Sequence, residues 1–261
     1  MGILNVTPDS FSDGGQWFEH ERAIMRAHEM IAEGADIVDV GGESTRPGAD
    51  PVAVDEELRR VIPVVEALVG QVRVSIDTTK EAVAEAAVDA GASLINDVSA
   101  TLWPVAAGLG VGWVAMHRKG TAQSMQRDPH YDDVVGEVTA LLVERAGQAT
   151  AAGVAEVWID PGIGFGKSVD HNLRLLGSLD QLVATGYPVM VGTSRKSFLG
   201  ALAMGADGST APVGERLPAS LATATWAMSQ GARMVRVHDV SATVQAAVLV
   251  GRPGADAEVG A

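Results

Sequence analysis

The chain has 261 residues, 47% of them hydrophobic, and carries a formal net charge of −14 at pH 7 with no cysteine. Without cysteine, disulfides, thiolate metal sites and cysteine nucleophiles are excluded. The acidic balance argues against nucleic acid and membrane surfaces as partners, since both attract clustered Lys and Arg. No apolar run approaches the ~18 residues needed to cross a bilayer, and no basic segment precedes the first one as in a secretory signal, so we expect a cytoplasmic protein.

The first stretch changes abruptly from an apolar segment to a polar loop. Gly2 to Val6 is nearly continuous in apolar side chains, as in a strand buried on both faces. Thr7 to Gly15 is rich in residues that favour turns. Asn5 lies near the junction, where a buried amide is unfavourable unless a backbone group or a ligand binds it. One strand alone leaves both explanations open.

The same unit of strand, loop and helix recurs along the chain. Eight apolar segments predict strands, centred on Ile3, Ile37, Val72, Leu94, Trp113, Val157, Val189 and Val235. Helical periodicity lies between most of them, over residues 19–33, 54–69, 80–90, 132–151, a stripe of Leu173, Leu176, Leu179 and Leu182, 219–229 and 241–250. Eight such units without a composition break predict one α/β domain, a single closed (β/α)8 TIM barrel over residues 1–250 with a disordered tail at 251–261.

Polar side chains close nearly every predicted strand. They are Asn5, Asp77, Asn96 with Asp97, His117, Asp160, Ser194 to Ser197, and Arg236 with His238 and Asp239. Singly, Asp77 or Asp97 could be a helix cap. Together they favour a shared site, because the active site of such a barrel lies at the carboxyl ends of its strands.

The carboxyl ends of the strands surround one opening of the barrel, which we call the mouth. The residue types at this mouth indicate its chemistry. Two carboxylates and an amide suit hydrogen bonding to a flat heterocycle with several N–H donors, although Asp77 and Asp160 could instead bind a metal. Asn5, Arg236 and His238 lie on the first and last strands, which are neighbours in a closed barrel. Such a trio can hold phosphate oxygens directly or with a magnesium ion.

The segment DPGIGFGKS from Asp160 to Ser168 looks like a phosphate-binding loop but does not match one. The nucleotide-binding pattern requires a glycine where this chain has Pro161. We expect its glycines to let backbone approach a ligand closely.

Seven ordered motifs resemble those of one family. NVTPDSFSDGG, VDVGGESTRPG, SIDT, NDVS, DPGIGFGK, GTSRKSFLG and VRVHD are similar to the motifs of dihydropteroate synthase, and the resemblance covers residues 1 to about 245. Members of that family are transferases of folate biosynthesis. They condense 6-hydroxymethyl-7,8-dihydropterin pyrophosphate with 4-aminobenzoate, giving 7,8-dihydropteroate and pyrophosphate.

The resemblance implies a role for each matching residue. The pterin would be bound by Asp77, Asn96, Met116, Asp160, Gly192 and Lys196, and the pyrophosphate by Asn5, Arg236 and His238. Asn5 would also be a ligand of Mg²⁺. The aminobenzoate pocket and its lids would be formed by Phe11, Asp13, Thr45, Arg46, Pro47, Phe165, Lys196 and Ser197.

The resemblance also implies a mechanism and an assembly. Pyrophosphate would depart early, and the cation would spread over the pterin ring, so that catalysis depends on Asp77, Asp160, Lys196, Arg236 and Asn5. Sulfonamides would act as aminobenzoate mimics, and the protein would form a homodimer through outer helices.

Three alternatives remain. One is a pterin-binding methyltransferase domain with a corrinoid partner, another a non-catalytic pterin-binding paralogue, and the third a metal-dependent hydrolase. The chain departs from the family pattern at Ala100, where glycine usually follows NDVS, at Ser241, where a basic residue is common, and in starting at Met1, without the segment that commonly precedes the first strand.

Overall fold

The computed structural model describes residues 1–7, 16–44, 48–203 and 208–251, and within them strands alternate with helices. The strands are β1 Gly2–Asn5, β2 Ile37–Gly41, β3 Arg73–Asp77, β4 Leu94–Asp97, β5 Gly112–Met116, β6 Val157–Asp160, β7 Met190–Val191 and β8 Met234–Val235. The helices are α1 Gln16–Ala32, α2 Val54–Leu68, α3 Glu81–Asp89, α4 Trp103–Leu109, α5 Val134–Ala151, α6 Val169–Gly177, α7 Leu179–Val183, α8 Ser197–Leu202, α9 Leu217–Ser229 and α10 Val240–Val250.

The eight strands close into a barrel. β1 to β6 form one parallel sheet in sequence order, and β7 pairs in parallel with β8. Bridges join the two sheets at Ile159 with Val189 and at Gly2 with Val237. At this second junction, which we call the seam, Ile3 N donates to Val237 O at 2.9 Å and Val237 N donates to Met1 O at 3.0 Å. The predicted (β/α)8 barrel is confirmed.

Alternating strand residues separate two apolar clusters. The larger cluster lies between the strands and the helices and includes Leu4, Val38, Val40 and Ile76. The smaller one consists of buried side chains from the alternate positions, Met1, Ile37, Leu94, Val114, Met190 and Met234. Because successive strand residues point to opposite faces, we assign the smaller cluster to the barrel interior. The strand-end polar residues lie above it.

The structure corrects one expected helix and places two short ones. The leucine stripe does not form one helix, because α6 ends at Gly177 and α7 begins at Leu179; within α6, Leu173 is 45% exposed. Helix α8 begins at Ser197, within the motif GTSRKSFLG. Helix α4 occupies the short interval between β4 and β5, where Gly110 caps its end with a φ of 68°.

None of the helices in these described ranges is both long and apolar enough to cross a membrane. The expected tail lies outside the described residues apart from Gly251.

Candidate active site

The register of the sheet brings the first four strand ends to one level. Asn5 pairs with Gly41, Gly41 with Asp77, and Asp77 with Asn96. Since these residues share an inward-facing parity, their side chains enter the same mouth. On β5, Asn96 pairs with Val114, so Asp160, which pairs with Met116, lies one inward-facing row higher on β6.

Arg236 lies among the acidic side chains of this mouth. Its Nε donates to Asp39 Oδ2 at 2.6 Å, and its Nη2 donates to Asp77 Oδ2 at 2.7 Å. Asp39 Oδ2 also accepts from Asn96 Nδ2 at 2.9 Å. Four residues on four strands therefore form one network.

Several acceptors of this network have no partner. Asp39 Oδ1, Asp77 Oδ1 and Asn96 Oδ1 are buried and make no hydrogen bond. A buried, unsatisfied acceptor is costly. Two of these oxygens, on Asp77 and Asn96, belong to strand-end residues. They are suited to receive N–H donors from a ligand, as the sequence led us to expect for a flat heterocycle.

Asp160 and Lys196 form the opposite side of the mouth. Asp160 is 2% exposed, and its Oδ1 accepts from Gly162 N at 2.7 Å. Lys196 Nζ donates to Ile163 O at 2.5 Å and lies 4.7 Å from the centre of the Phe165 ring. The loop after β6 therefore reaches the lysine with both a carbonyl and an aromatic face.

Gly192 leaves room between the two cationic side chains. A Cβ at this position would lie 3.7 Å from Arg236 Cβ and 3.8 Å from Lys196 Nζ. Because Gly192 has no side chain, the space between Arg236 and Lys196 stays open after β7. Met116 is buried, with 5% of its surface exposed.

The groups expected to bind phosphate lie on either side of the seam. Asn5 ends β1 and is partly exposed, and His238 follows β8. Ser194 Oγ lies 3.0 Å from His238 Nδ1 and accepts from His238 N at 3.2 Å. The histidine ring is thus oriented by the loop after β7.

Burial changes the pKa values in the mouth. It raises the pKa of Asp77 to about 7, although Arg236 opposes the shift, and Asp39 raises it further. Burial also raises the pKa of Asp160, against the effect of Lys196. For Lys196, burial lowers the pKa to about 8 although Asp160 favours the charged form. A neutral or partly neutral carboxyl at Asp77 is accessible near pH 7.

Two expected members of the mouth point elsewhere. Asp97 Oδ2 accepts from the N–H groups of Thr101 and Leu102 and from Trp113 Nε1, so it secures the start of α4. His117 Nδ1 lies 2.9 Å from Lys167 Nζ, outside the barrel interior. Each residue is one position past an inward-facing one, and strand alternation turns it toward the helices. Asp97 thus satisfies backbone N–H groups of the turn before α4, whose N-cap residue is Leu102.

The loop DPGIGFGKS uses two of its glycines for contact with protein rather than with a ligand. Gly162 has a φ of 63°, and a Cβ there would lie 1.8 Å from His117 O. A Cβ at Gly166 would lie 2.2 Å from Lys119 O. We therefore correct the expectation that these glycines approach a ligand: they allow this loop to pack against the backbone after β5.

Asp39 is the site residue that the sequence analysis missed. It is fully buried within β2, two positions before the strand end. The available signal was its position, because a carboxylate inside the apolar segment IVDVG shares the inward parity of the strand end.

Five of the expected lid residues, Phe11, Asp13, Thr45, Arg46 and Pro47, lie outside the described residues. Ser197 is exposed at the start of α8. Phe165 is the expected aminobenzoate residue that the structure does bring against Lys196.

A divalent cation would find few ligands here without its substrate. Within the described ranges, no three His, Asp or Glu side chains cluster in a way that could hold a metal. Asn5, which ends β1, would offer one amide oxygen beside the groups expected to bind phosphate. This donor set fits Mg²⁺, which keeps several waters and is usually held by one or two protein ligands together with phosphate oxygens.

Comparisons with known proteins agree with this geometry. Residues 1–238 match the family described as pterin binding enzyme. A dihydropteroate synthase of Mycobacterium leprae is 48% identical over 260 residues, which covers 96% of this chain and 92% of that protein.

Solved structures give the same similarity. Dihydropteroate synthase of Yersinia pestis, solved with a sulfonamide drug complex, superposes with a TM-score of 0.87 at 43% identity and covers 96% of this chain and 92% of that chain. The enzyme of Xanthomonas albilineans in complex with 7,8-dihydropteroate gives a TM-score of 0.84 at 45% identity, over 95% and 90% of the two chains.

Proposed function

This chain belongs to the dihydropteroate synthase family of pterin-binding enzymes, and we propose that the barrel mouth performs the family's reaction with the residues assigned below. The enzyme is a transferase that condenses 6-hydroxymethyl-7,8-dihydropterin pyrophosphate with 4-aminobenzoate to give 7,8-dihydropteroate and pyrophosphate. The methyltransferase and hydrolase alternatives have no support among these relatives.

The pterin binds to the carboxylates and the amide at the strand ends. The observation that carries this assignment is the pair of buried, unpaired acceptors on Asp77 and Asn96. Asp160 adds a third acceptor group, and Lys196 faces it from the loop after β7. Met116 and Gly192 contribute to the walls of the same pocket.

Pyrophosphate binds at the seam. Arg236 supplies a guanidinium that can pair with phosphate oxygens in two places, and His238 is held beside it by Ser194. Asn5 would bind the pyrophosphate from β1 and would hold the Mg²⁺ ion. When bound, the ion supplies positive charge to the leaving oxygens.

The chemical step exchanges one bond for another at the pterin methylene carbon. The C–O bond to pyrophosphate breaks, and the developing cation is spread over the dihydropterin ring. Asp77 and Asp160 offset this charge electrostatically, while Arg236 and His238 stabilise the departing anion. The neutral amine of 4-aminobenzoate then forms the C–N bond and releases a proton to water.

The aminobenzoate ring would bind next to the pterin in the mouth. Its pocket would include Phe165, Lys196 and Ser197, and the lid residues Phe11, Asp13, Thr45, Arg46 and Pro47 would close over it. The short distance from Lys196 to the Phe165 ring supports the described part of this pocket. We expect a sulfonamide to compete with 4-aminobenzoate, raising its KM without changing kcat.

The experiment is pyrophosphate release from the pterin substrate with Mg²⁺, in the presence and absence of 4-aminobenzoate. Release that requires both substrates and yields dihydropteroate supports the assignment. The variant Asp160→Asn should fold and lose about 100-fold in turnover, as when one preorganised electrostatic group is removed. Binding of pterin without release by the wild-type protein would instead identify a non-catalytic paralogue.

A homodimer and a cytoplasmic location are parts of this proposal. Large apolar side chains are exposed on two helices that pack against each other, α9 and α10, including Trp226 at 47%, Val248 at 75% and Leu249 at 87%. Burial of such a patch favours self-association. Light scattering of the purified protein would show twice the chain mass, whereas a monomer would contradict the assembly. Cell fractionation checks the location.

A further inference from the structure

Asp39 occupies a position below the residues that meet the substrates. Its backbone pairs with Ser75, one inward-facing row beneath the pair of Gly41 and Asp77. The side chain is fully buried. An aspartate here is therefore out of direct reach of solvent, and it lies beside the apolar cluster that fills the barrel interior.

One oxygen of Asp39 accepts hydrogen bonds from two residues. One of them belongs to the pyrophosphate half of the proposed site and the other to the pterin half. Oδ2 accepts from Arg236 Nε on the strand that borders the pyrophosphate and from Asn96 Nδ2 beneath the pterin. A buried carboxylate is unfavourable without such partners. The position thus ties together two groups that act on opposite ends of one substrate.

Arg236 donates a hydrogen bond to each of two acids, and only one of these bonds competes with substrate binding. Its Nη2 bond to Asp77 competes with the pterin and the pyrophosphate, because both need one member of that pair. Its Nε bond to Asp39 faces the barrel interior and competes with neither substrate. The Nη2 bond can therefore open while the Nε bond keeps the guanidinium in place.

Asn96 is oriented by the same oxygen. Because Nδ2 donates to Asp39, the other end of the amide, Oδ1, is left as an unpaired acceptor. Without this donor contact, the amide could turn by 180° and present an NH₂ group to the ligand, where an N–H donor of the pterin would be repelled.

We propose that Asp39 is a positioning residue that holds Arg236 for the pyrophosphate and fixes Asn96 as an acceptor for the pterin. This inference rests on the proposed function. It assigns no contact with substrate to Asp39, and it makes the pterin pyrophosphate, not 4-aminobenzoate, the substrate that depends on it.

The test compares Asp39→Asn with Ser75→Ala in the purified enzyme. Asp39→Asn keeps the shape but removes the charge. Ser75 is the register partner of Asp39, and its buried hydroxyl makes no hydrogen bond, so its removal controls for a change at this depth. Steady-state kinetics give kcat and both KM values, and calorimetry gives the affinity for inorganic pyrophosphate.

We expect Asp39→Asn to lower kcat/KM for the pterin pyrophosphate by roughly 10–100-fold, as for other partners that orient a ligand-binding group. The KM for 4-aminobenzoate should stay within about twofold, and the affinity for pyrophosphate should fall. Ser75→Ala should behave as wild type. Unchanged kinetics in a folded Asp39→Asn, or equal losses for both substrates, would reduce Asp39 to a structural role and overturn the inference.

A wild-type measurement covers the case in which Asp39→Asn does not fold. In a crystal structure with pyrophosphate and a pterin bound, Arg236 Nε should remain on Asp39 while the bond from Nη2 to Asp77 is broken. An Arg236 that has left Asp39 would contradict the inference. Pyrophosphate binding is measured without turnover, so a failure of the proposed activity remains distinguishable.

Discussion

The barrel mouth changes the protonation of Asp77. Burial raises its pKa from 3.8 to about 7; the charge of Arg236 opposes this rise, and the charges of Asp39, Glu57 and Asp97 add to it. The proposed role requires the carboxylate, which is lost as the pH falls through about 7. We therefore expect kcat/KM for the pterin pyrophosphate to decline on the acid side of neutrality, measured from pH 5.5 to 8.5.

The same shift has an opposite effect on stability. A carboxyl whose pKa is raised by folding contributes stability below its ordinary pKa of 3.8, and this contribution is lost as the pH rises to about 7. Asp77→Asn cannot ionise. Between pH 5 and 8, the wild-type free energy of unfolding should fall by roughly 2 kcal/mol more than that of the variant. Parallel urea titrations at both pH values with no such difference would contradict the shift.

Ala100 has a backbone conformation that favours glycine. Its φ is 53°, where an L-residue costs about 1–2 kcal/mol. The methyl group is buried, however, and its burial contributes about 0.8 kcal/mol. Glycine would also gain entropy in the unfolded chain. These terms nearly cancel, so Ala100→Gly should change the free energy of unfolding by less than about 1 kcal/mol.

The check is chemical denaturation of the Ala100→Gly variant beside wild type. A gain of 2 kcal/mol or more would mean that strain dominates and that the methyl group contributes little. The near-balance explains how this chain retains alanine where the family pattern has glycine.

At the scale of elements, one charged network anchors the loop between β2 and α2. Glu57 on α2 is fully buried, pairs with Lys80 and accepts from Thr78 Oγ1 at 2.7 Å. Lys80 Nζ also lies 2.6 Å from Glu43 Oε2. That glutamate accepts from Val52 N at 2.7 Å, so the beginning and the end of the loop are joined. The loop carries three of the proposed lid residues.

Removing the lysine of this network should cost more stability than removing the charge of Glu43. Lys80→Met leaves Glu57 buried without its cation, which costs roughly 3–5 kcal/mol. Glu43→Gln keeps the acceptor for Val52 and leaves Lys80 with Glu57, so it should cost at most about 1 kcal/mol. Urea unfolding of both variants checks the difference, and equal losses would contradict it. In Glu43→Gln we also expect a higher KM for 4-aminobenzoate.

Strand periodicity explains which parts of the site could be predicted from sequence. The apolar segments and their polar ends predicted the eight strands and the level of the mouth, because burial on both faces leaves a clear pattern. Asn96 and Asp97 could not be separated, since a shift of one residue reverses the face. His117 was misplaced for the same reason. The sequence analysis searched only the strand ends, and Asp39 lies two residues before the end of β2. It was missed for this reason.

At the scale of the whole molecule, the proposed pyrophosphate site crosses the seam of the barrel. Ligand binding to the native state stabilises the segments that it joins. Pyrophosphate held by Asn5 and Arg236 should therefore slow hydrogen exchange at Ile3 N and Val237 N. The amide of Trp113, which donates to Glu156 O within the continuous sheet, is the control. Equal protection of all three amides would argue against a site at the seam.

The seam also has a consequence for synthesis of the chain on the ribosome. Four of the six proposed pterin-binding residues belong to β3, β4, β5 and β6, whereas Arg236, the cation that pairs with buried Asp39, follows β8. A nascent or truncated chain that stops before this strand therefore has an uncompensated carboxylate inside an open sheet. Cellular proteases should degrade such fragments before they accumulate as stable proteins that bind pterin without turning it over. Only chains whose translation is completed would then persist as enzyme.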